Sequence, residues 1–419
     1  DIMPENYTID MPEAVRNIIH TIEEHGFKAY AVGGCIRDSI LGRNPDDWDI
    51  TTSAVPAQIK TFFKRTIDTG IVHGTVTVMV NKTGYEVTTY RIDGEYEDGR
   101  HPKSVEFSDR LVDDLCRRDF TINAMAYNDT DGFVDEFKGL DDLDTKIIRC
   151  VGEPELRFTE DALRMMRAIR FSAQLGFTID EATWNAIKKL SPSISKISME
   201  RVHVELGKTL MSAHPDYVAE YSEAGLFAPI LPVIDNALKS RYKRKILATL
   251  QHTPDNIYLR YAALFITSTP DEAAKTLRAL KLDNKTVNTV SKLVELSKMD
   301  IEETEPAVRT ALNKYGRDFL PLWHELMMAV IQASEDITGI SNPAKVKHLL
   351  TLKRLGTDIL ARGDCFTIKD LDISGNDLIE YGLQGHEIGE TLKSLLDIVI
   401  ENPKLNDKAT LIAMIEHIK

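Results

Sequence analysis

A chain of 419 residues, 43% of them hydrophobic, has enough apolar material for two or more domain cores. Its formal charge of −14, from 51 Lys and Arg against 65 Asp and Glu, excludes a uniformly basic nucleic-acid coat, so any phosphate binding has to be local. No apolar run approaches the roughly 20 residues that span a bilayer, and the start DIMPENYT lacks a charged-then-apolar leader pattern. Cys35, Cys116, Cys150 and Cys365 are scattered without CxxC spacing, which points to reduced thiols and a cytoplasmic protein.

In chain order, Met11 to His25 place apolar residues at helical spacing before a Gly26 stop. The run Ala29 to Val32 predicts a buried strand, and Gly33-Gly34 lets the backbone turn and approach a ligand with no Cβ in the way. Cys35 to Leu41 predicts a helix carrying Arg37; free N–H groups at its start suit a triphosphate. After the Asn44-Pro45 turn, Asp47 and Asp49 lie two apart, so on a strand both leave one face while Trp48 takes the other. Two carboxylates on one face suit hard divalent cations such as Mg2+. Alone, a GG turn or a DxD is more often ordinary turn and acidic loop, but strand, GG, helix with Arg, turn and DxD in this order form a compound signal.

GGCIRD followed by DWDITTSA resembles the nucleotidyltransferases related to DNA polymerase beta, and within them the class II tRNA nucleotidyltransferases and bacterial poly(A) polymerases. The resemblance implies an α+β fold: an N-terminal head with a mixed β-sheet and flanking helices, then an all-α neck, body and tail. The corresponding divisions are 1–144, 145–210, 211–330 and 331–419.

Further on, Ala57 to Lys64 reads as a helix, and Thr75 to Val80 and Tyr85 to Tyr90 as strands around the turn Asn81 to Gly84. Glu86 is either a third carboxylate beside Asp47 and Asp49 or an ordinary solvent-facing residue. Arg91 to Phe107, rich in charge and Gly, predicts a mobile loop. In the family, a loop at this place takes part in switching from CTP to ATP, and its full length here favours complete CCA addition. In LCRRDFTINAMAY, Arg117 and Arg118 can neutralise phosphate, Asp119 can accept from a ribose hydroxyl, and Asn123 can both donate and accept. The match to the family's RRDFTxNA motif makes Arg118 a nucleotide contact.

Ile147 to Val151 reads as a short strand, and the chain from Glu160 as one long helix with Asp161, Arg164, Arg167 and Arg170 at steps of three. Such a row is either a salt-bridge ladder or a reader of bases. A carboxylate that accepts beside an arginine that donates can pair with the amino and ring-nitrogen edge of cytosine or adenine, whereas guanine and uracil would set a carbonyl against the carboxylate. The EDxxR spacing is similar to the class II amino-acid template, which by the same match gives Arg167 and Arg170 the phosphate or sugar. Glu200, Arg201 and Glu205 in MERVHVEL are then supports for that helix.

Beyond residue 210 the pattern is helix after helix broken by prolines, and the segment from Asp370, with Gly375, Gly382 and Gly385, resembles the class II tail. Two basic runs, Arg241 to Lys245 and Lys345 to Arg354, are either solvated helix faces or RNA contacts. The expected function is template-independent addition of C, C and A to the tRNA 3′ end from CTP and ATP, with Mg2+ on Asp47 and Asp49 and no protein partner required. Poly(A) polymerases share these motifs, as do enzymes adding only part of CCA; the acidic chain, with no basic extension before Lys419, favours the tRNA enzyme. A tRNA-binding protein that has lost catalysis is disfavoured by the intact DxD.

Overall fold

The computed structural model describes residues 8–93 and 105–418, which fall into two compact units, Asp1–Asp235 and Asn236–Lys419. In the first, α1 (Glu13–Glu24) buries Val15, Ile18, Ile19 and Ile22 at a spacing of three and four against β1 (Ala29–Val32), whose four residues are all buried. Next come α2 (Gly34–Ile40), β2 (Asp49–Thr52), α3 (Pro56–Phe62), β3 (Thr66–Gly70), β4 (Thr75–Val80) and β5 (Thr83–Thr89). The strands β6 (Arg91–Asp93) and β7 (Val105–Phe107) pair as a separate antiparallel ribbon. The expected loop over 91–107 is therefore paired at both ends, while its centre, 94–104, lies outside the described residues.

After α4 (Leu111–Cys116), β8 (Ala126–Asn128) and β9 (Gly132–Val134) complete a mixed seven-stranded sheet in the order β3-β4-β5-β2-β1-β8-β9. At its centre β1 runs antiparallel to β2 and β8, whereas β2 and β5 are parallel and pair Ile50 with Val87 and Thr51 with Thr88. That register places Glu86 on the strand beside Asp49. The β4–β5 hairpin is tighter than expected: Val80 faces Thr83 across a two-residue turn, with Asn81 at φ 49° and Lys82 at φ 68°. Positive φ at both central residues matches the right-handed twist of the flanking strands.

The helices α5 (Gly139–Thr145), α6 (Pro154–Glu160), α7 (Leu163–Leu175), α8 (Glu181–Leu190) and α9 (Met199–Leu210) follow. Only Ile147–Ile148 of the expected Ile147 to Val151 strand forms a ladder, parallel to Thr178–Ile179, while Cys150 bridges to Phe120. The helix expected from Glu160 begins at Leu163, and Glu160 is instead the last residue of α6. Asp161 is extended, at φ −147° and ψ 107°, and its carboxylate accepts from the N–H of Leu163 at 3.1 Å. A short acidic side chain that bonds its own downstream backbone competes with helix continuation, which is the local reason for the break.

From Lys243 to Ile418 the regular elements of the second unit are helical, among them Lys243–His252, Phe319–Thr338 and Pro343–Arg362. Residues 330 and 331 lie inside the continuous Phe319–Thr338 helix. Buried Arg309 joins three segments there, donating to Glu305 at 2.8 Å, Asp364 at 3.0 Å and the Ile400 carbonyl at 2.7 Å. The four cysteines form no disulfide, and no described helix is long and apolar enough to cross a membrane.

One close approach ties this scaffold to the cavity described below. Asp135 caps the first turn of α5 by accepting from the N–H groups of Gly139 and Leu140 at 2.7 and 3.0 Å. Asp142 on the same helix accepts from Thr121 Oγ1 at 2.6 Å, in the turn that carries Asn123. A Cβ on Gly139 would lie 2.4 Å from the Thr121 carbonyl oxygen, which is backbone and cannot swing aside. Gly139→Ala is therefore expected to lower the unfolding free energy by about 1–3 kcal/mol, against the stabilising direction that helix propensity alone gives. Urea unfolding checks the sign; an unchanged or higher midpoint contradicts the close approach.

Candidate active site

Gly33 ends β1 with φ 87° and ψ −138° and opens α2. A Cβ there would come within 3.3 Å of Arg118 Nη1, so the glycine provides both the turn and the room for a guanidinium. Around this turn lies a cavity of about 490 Å³. Gly33, Gly34, Arg37, Asp49, Arg118, Asp119 and Asn123 line one part, and Asp161, Arg164, Arg167 and Arg170 another. The structure thus brings together residues from three stretches of the sequence, with 137 positions between Gly33 and Arg170, while Asp47 and Glu86 are not among the residues that line the cavity.

Asp47 and Asp49 are exposed while Trp48 between them is 7% exposed, the alternation expected for two carboxylates leaving one face. Asp47 precedes β2 and Asp49 begins it. The Asp49 pKa is raised, first by desolvation and then by the charge of Asp47, against a downward pull from Arg118. Glu86 shifts the same way, first by desolvation and then by Asp49 and Asp47. These carboxylates feel one another's charge, yet among the described residues no three metal-ligating side chains converge as a ready cage. The pair Asp47 and Asp49 fits a cation that takes its remaining oxygens from elsewhere.

The arginines are held by carboxylates at their backs. Asp114, fully buried on α4, accepts from Arg117 Nε, Arg118 Nη2 and Thr51 Oγ1 at 3.1–3.2 Å. Burial drives its pKa up, but Arg118 and Arg117 more than offset this and keep it below the usual range. Asp119 accepts from Arg167 Nε at 2.7 Å and Asn123 Nδ2 at 3.3 Å; burial opposes its charge, yet Arg167 and Arg164 hold its pKa at about 2. Arg37 donates to Asn123 Oδ1 at 2.5 Å, and Arg170 to Glu205 at 2.5 Å. Arg37, Arg167 and Arg170 all approach the Phe171 ring, at 5.0, 5.2 and 4.1 Å from its centroid, and each such contact is worth roughly 0.5–2 kcal/mol.

Asp161 and Arg164 line the same cavity but bind other partners. Asp161 accepts from Arg201 Nη2 at 3.0 Å and Nη1 at 3.4 Å, while Arg164 Nη1 donates to Glu160 at 2.6 Å, which also accepts from Arg157. Arg164 further donates to the Arg117 carbonyl at 3.3 Å, and Arg157 to that of Cys116 at 2.6 Å, which fastens the α6–α7 joint to the RRD segment. Asp114, Arg157, Glu160 and Phe171 were not assigned from sequence. Asp114 stands three and four residues before the arginine pair and Phe171 four after Arg167, spacings at which side chains on a helix meet, so a signal for both was present.

The chain matches the families described as "Poly A polymerase head domain" over residues 29–149, "Probable RNA and SrmB- binding site of polymerase A" over 176–238, and "tRNA nucleotidyltransferase domain 2 putative" over 258–415. It is 34% identical to the CCA-adding enzyme of Pediococcus pentosaceus over 98% of both chains. Against that of Limosilactobacillus fermentum it is 37% identical over 96% of this chain and 95% of the other. Among solved structures, the Bacillus stearothermophilus CCA-adding enzyme in complex with CTP superposes with a TM-score of 0.75 at 31% identity, covering 97% of this chain and 98% of that one. The Thermotoga maritima CCA-adding enzyme complexed with tRNA shares the fold at 21% identity and a TM-score of 0.58, over 98% and 96%. The chain belongs to the family of class II CCA-adding enzymes, nucleotidyltransferases built on a poly(A) polymerase head.

Proposed function

We propose that this chain adds C, C and A to the 3′ end of tRNA in the cytoplasm, using CTP and ATP, with Asp47 and Asp49 at the reacting end of the cavity and Asp161 and Arg164 reading the base. The observation that carries the reading is the cavity lining: seven arginines against three aspartates, in a protein whose overall charge is −14. That local excess of positive charge suits a nucleoside triphosphate. Arg118, whose buried Nε has no hydrogen-bond partner among the described residues, Arg37 and the backbone at Gly33-Gly34 would take the phosphates. Asp119, ionised and fixed by Arg167, would accept from the ribose, with Asn123 beside it.

Enzymes of this family are metal-dependent, and Asp47 and Asp49 are the donors that fit Mg2+ here, with phosphate oxygens and water completing the coordination. When bound, two such ions would activate the tRNA 3′-hydroxyl and steady the leaving pyrophosphate. Arginines on the far side orient the triphosphate for in-line attack, so the chain itself needs no general base. Glu86 flanks the pair as an adjunct carboxylate. At the base-reading end, Asp161 offers acceptors and Arg164 donors, the pattern complementary to cytosine and adenine; Arg167 and Arg170 steady the nucleotide from α7. The rival products, poly(A) or partial CCA, are separated by incubating tRNA transcripts ending before CCA, after C and after CC with each nucleotide and sizing the products. Termination after three additions supports the reading, and open-ended A tails replace it.

Asp47→Ala is expected to abolish nucleotide transfer, by about three orders of magnitude or more if metal charge stabilises the transition state, while tRNA affinity measured by filter binding stays within about twofold. Normal turnover in that variant removes the metal assignment. Arg164→Ala is expected to shrink the preference for CTP over UTP by about 10–100-fold, the worth of one or two lost charge-assisted hydrogen bonds; an unchanged ratio of kcat/KM values eliminates the base-reading role. The raised Asp49 pKa gives a pH dependence. With falling pH this group binds a proton earlier than an ordinary aspartate, and the cation must displace it. Mn2+ affinity, followed by electron paramagnetic resonance, is expected to weaken as pH is lowered toward the raised pKa and by up to about tenfold per unit below it. Asp49→Asn should flatten that profile, and a flat profile in the wild type contradicts the assignment.

A further inference from the structure

Phe171 is an apolar residue in a lining dominated by arginines, and three of those arginines converge on it. The central carbons of Arg170, Arg37 and Arg167 lie 4.1, 5.0 and 5.2 Å from its ring centroid. Arg37 comes from α2, whereas Arg167 and Arg170 share α7 with the ring. The ring therefore stands between the helix that opens at Gly33-Gly34 and the helix that carries Arg164. Phe171 is only 5% exposed, and a second ring, Phe120, meets it edge-on at 5.8 Å and 80°.

Each of the three arginines is anchored through Nε, Arg37 to Asp38 at 3.0 Å, Arg167 to Asp119 at 2.7 Å and Arg170 to Glu205 at 2.5 Å. A hydrogen bond at Nε fixes one corner of a planar fork, and the plane can still tilt about it. A ring packed against the central carbon removes that freedom, because a guanidinium stacks on an aromatic face whose negative charge attracts it. An aliphatic side chain of similar bulk would fill the space but offer nothing against the mutual repulsion of three cations. We infer that Phe171 is a positioning residue for nucleotide transfer: its ring sets the planes of Arg37, Arg167 and Arg170, so that α2 and α7 present their guanidinium groups to one triphosphate. The inference rests on the proposed transfer from CTP and ATP. It gives a task to a side chain that holds no part of the substrate in that reading.

The test replaces Phe171 by mono-, di- and trifluorinated phenylalanine in the full chain, a series that nearly keeps the shape of the ring while withdrawing negative charge from its face. The expected result is a kcat/KM for CTP that falls evenly on a logarithmic scale with each fluorine and is about tenfold lower at the third. The Ki of inorganic tripolyphosphate against CTP should rise with fluorine number as well, whereas the KM for tRNA at saturating CTP should stay within about twofold. A ring that only packs gives no such slope. Phe171→Leu, which keeps apolar bulk and removes the aromatic face, should lose at least as much as the trifluorinated chain. A kcat/KM independent of fluorine number overturns the inference, as does an unchanged tripolyphosphate Ki or a Phe171→Leu chain with wild-type kcat/KM. If the wild type transfers no nucleotide to tRNA, equilibrium dialysis with labelled CTP reads the same series. An affinity that falls with fluorine number then keeps the role of the ring and removes the transfer reading alone, while a flat affinity removes both.

Discussion

Seven guanidinium groups around a cavity of about 490 Å³ repel one another, and only opposite charge held behind them offsets that repulsion. Asp114 stands behind Arg117 and Arg118, Asp119 behind Arg167, Glu160 behind Arg157 and Arg164, and Glu205 behind Arg170. Asp114, Asp119 and Glu205 are buried, and for Asp114 and Asp119 the neighbouring arginines outweigh desolvation and keep the carboxyl ionised well below neutral pH. Removing one member of such a buried pair leaves an uncompensated charge, typically at a cost of about 3–5 kcal/mol. The scaffold therefore serves the network as much as the network serves the scaffold: β2 and α4 meet through Thr51 and Asp114, and α7 and α9 through Arg170 and Glu205.

What was legible in the sequence was whatever short-range geometry decides. The alternation Asp47, Trp48, Asp49 predicted exposed carboxylates around a buried ring, and Gly33 predicted a turn at which backbone and guanidinium approach closely. Both depend on a period of two or on a missing Cβ, which neighbours in the chain suffice to specify. The break at Asp161 was not read, because the hydrophobic period continues across it and only a side-chain hydrogen bond to Leu163 marks the joint. The two-residue turn at Asn81-Lys82 was read two residues too long, since the glycine at position 84 drew the turn toward itself while Asn81 and Lys82 adopted positive φ. The gathering of three arginines about Phe171 depends on how α2 and α7 come to share one ring, which no local pattern encodes.

Net charge misleads for the same reason that it is easily computed: it averages over a surface whose parts have opposite tasks. In this chain cations outnumber carboxylates along the linings of two concavities, one bounded by the head sheet and α7, the other formed by helices of the second unit. Their cations differ in kind. Those of the first are braced by carboxylates and therefore fixed in direction, as a small ligand of defined shape requires. Among the described residues those of the second form no ion pair, Arg241 instead lying over the Tyr242 ring, so their side chains are less constrained in direction.

The partners of Asp161 and Arg164 bear on how an empty site differs from a wrongly filled one. Arg201 and Glu160 already satisfy the two side chains with the groups that a base edge would otherwise supply. In the proposed base-reading role, an incoming cytosine or adenine would compete with internal ligands rather than fill a vacancy, and the free energy that discriminates would be the difference between two satisfied states. A base with the wrong edge faces a resident competitor tethered at high effective concentration. Discrimination on this view does not require that guanine or uracil clash; it is enough that each offers less than the protein already provides for itself.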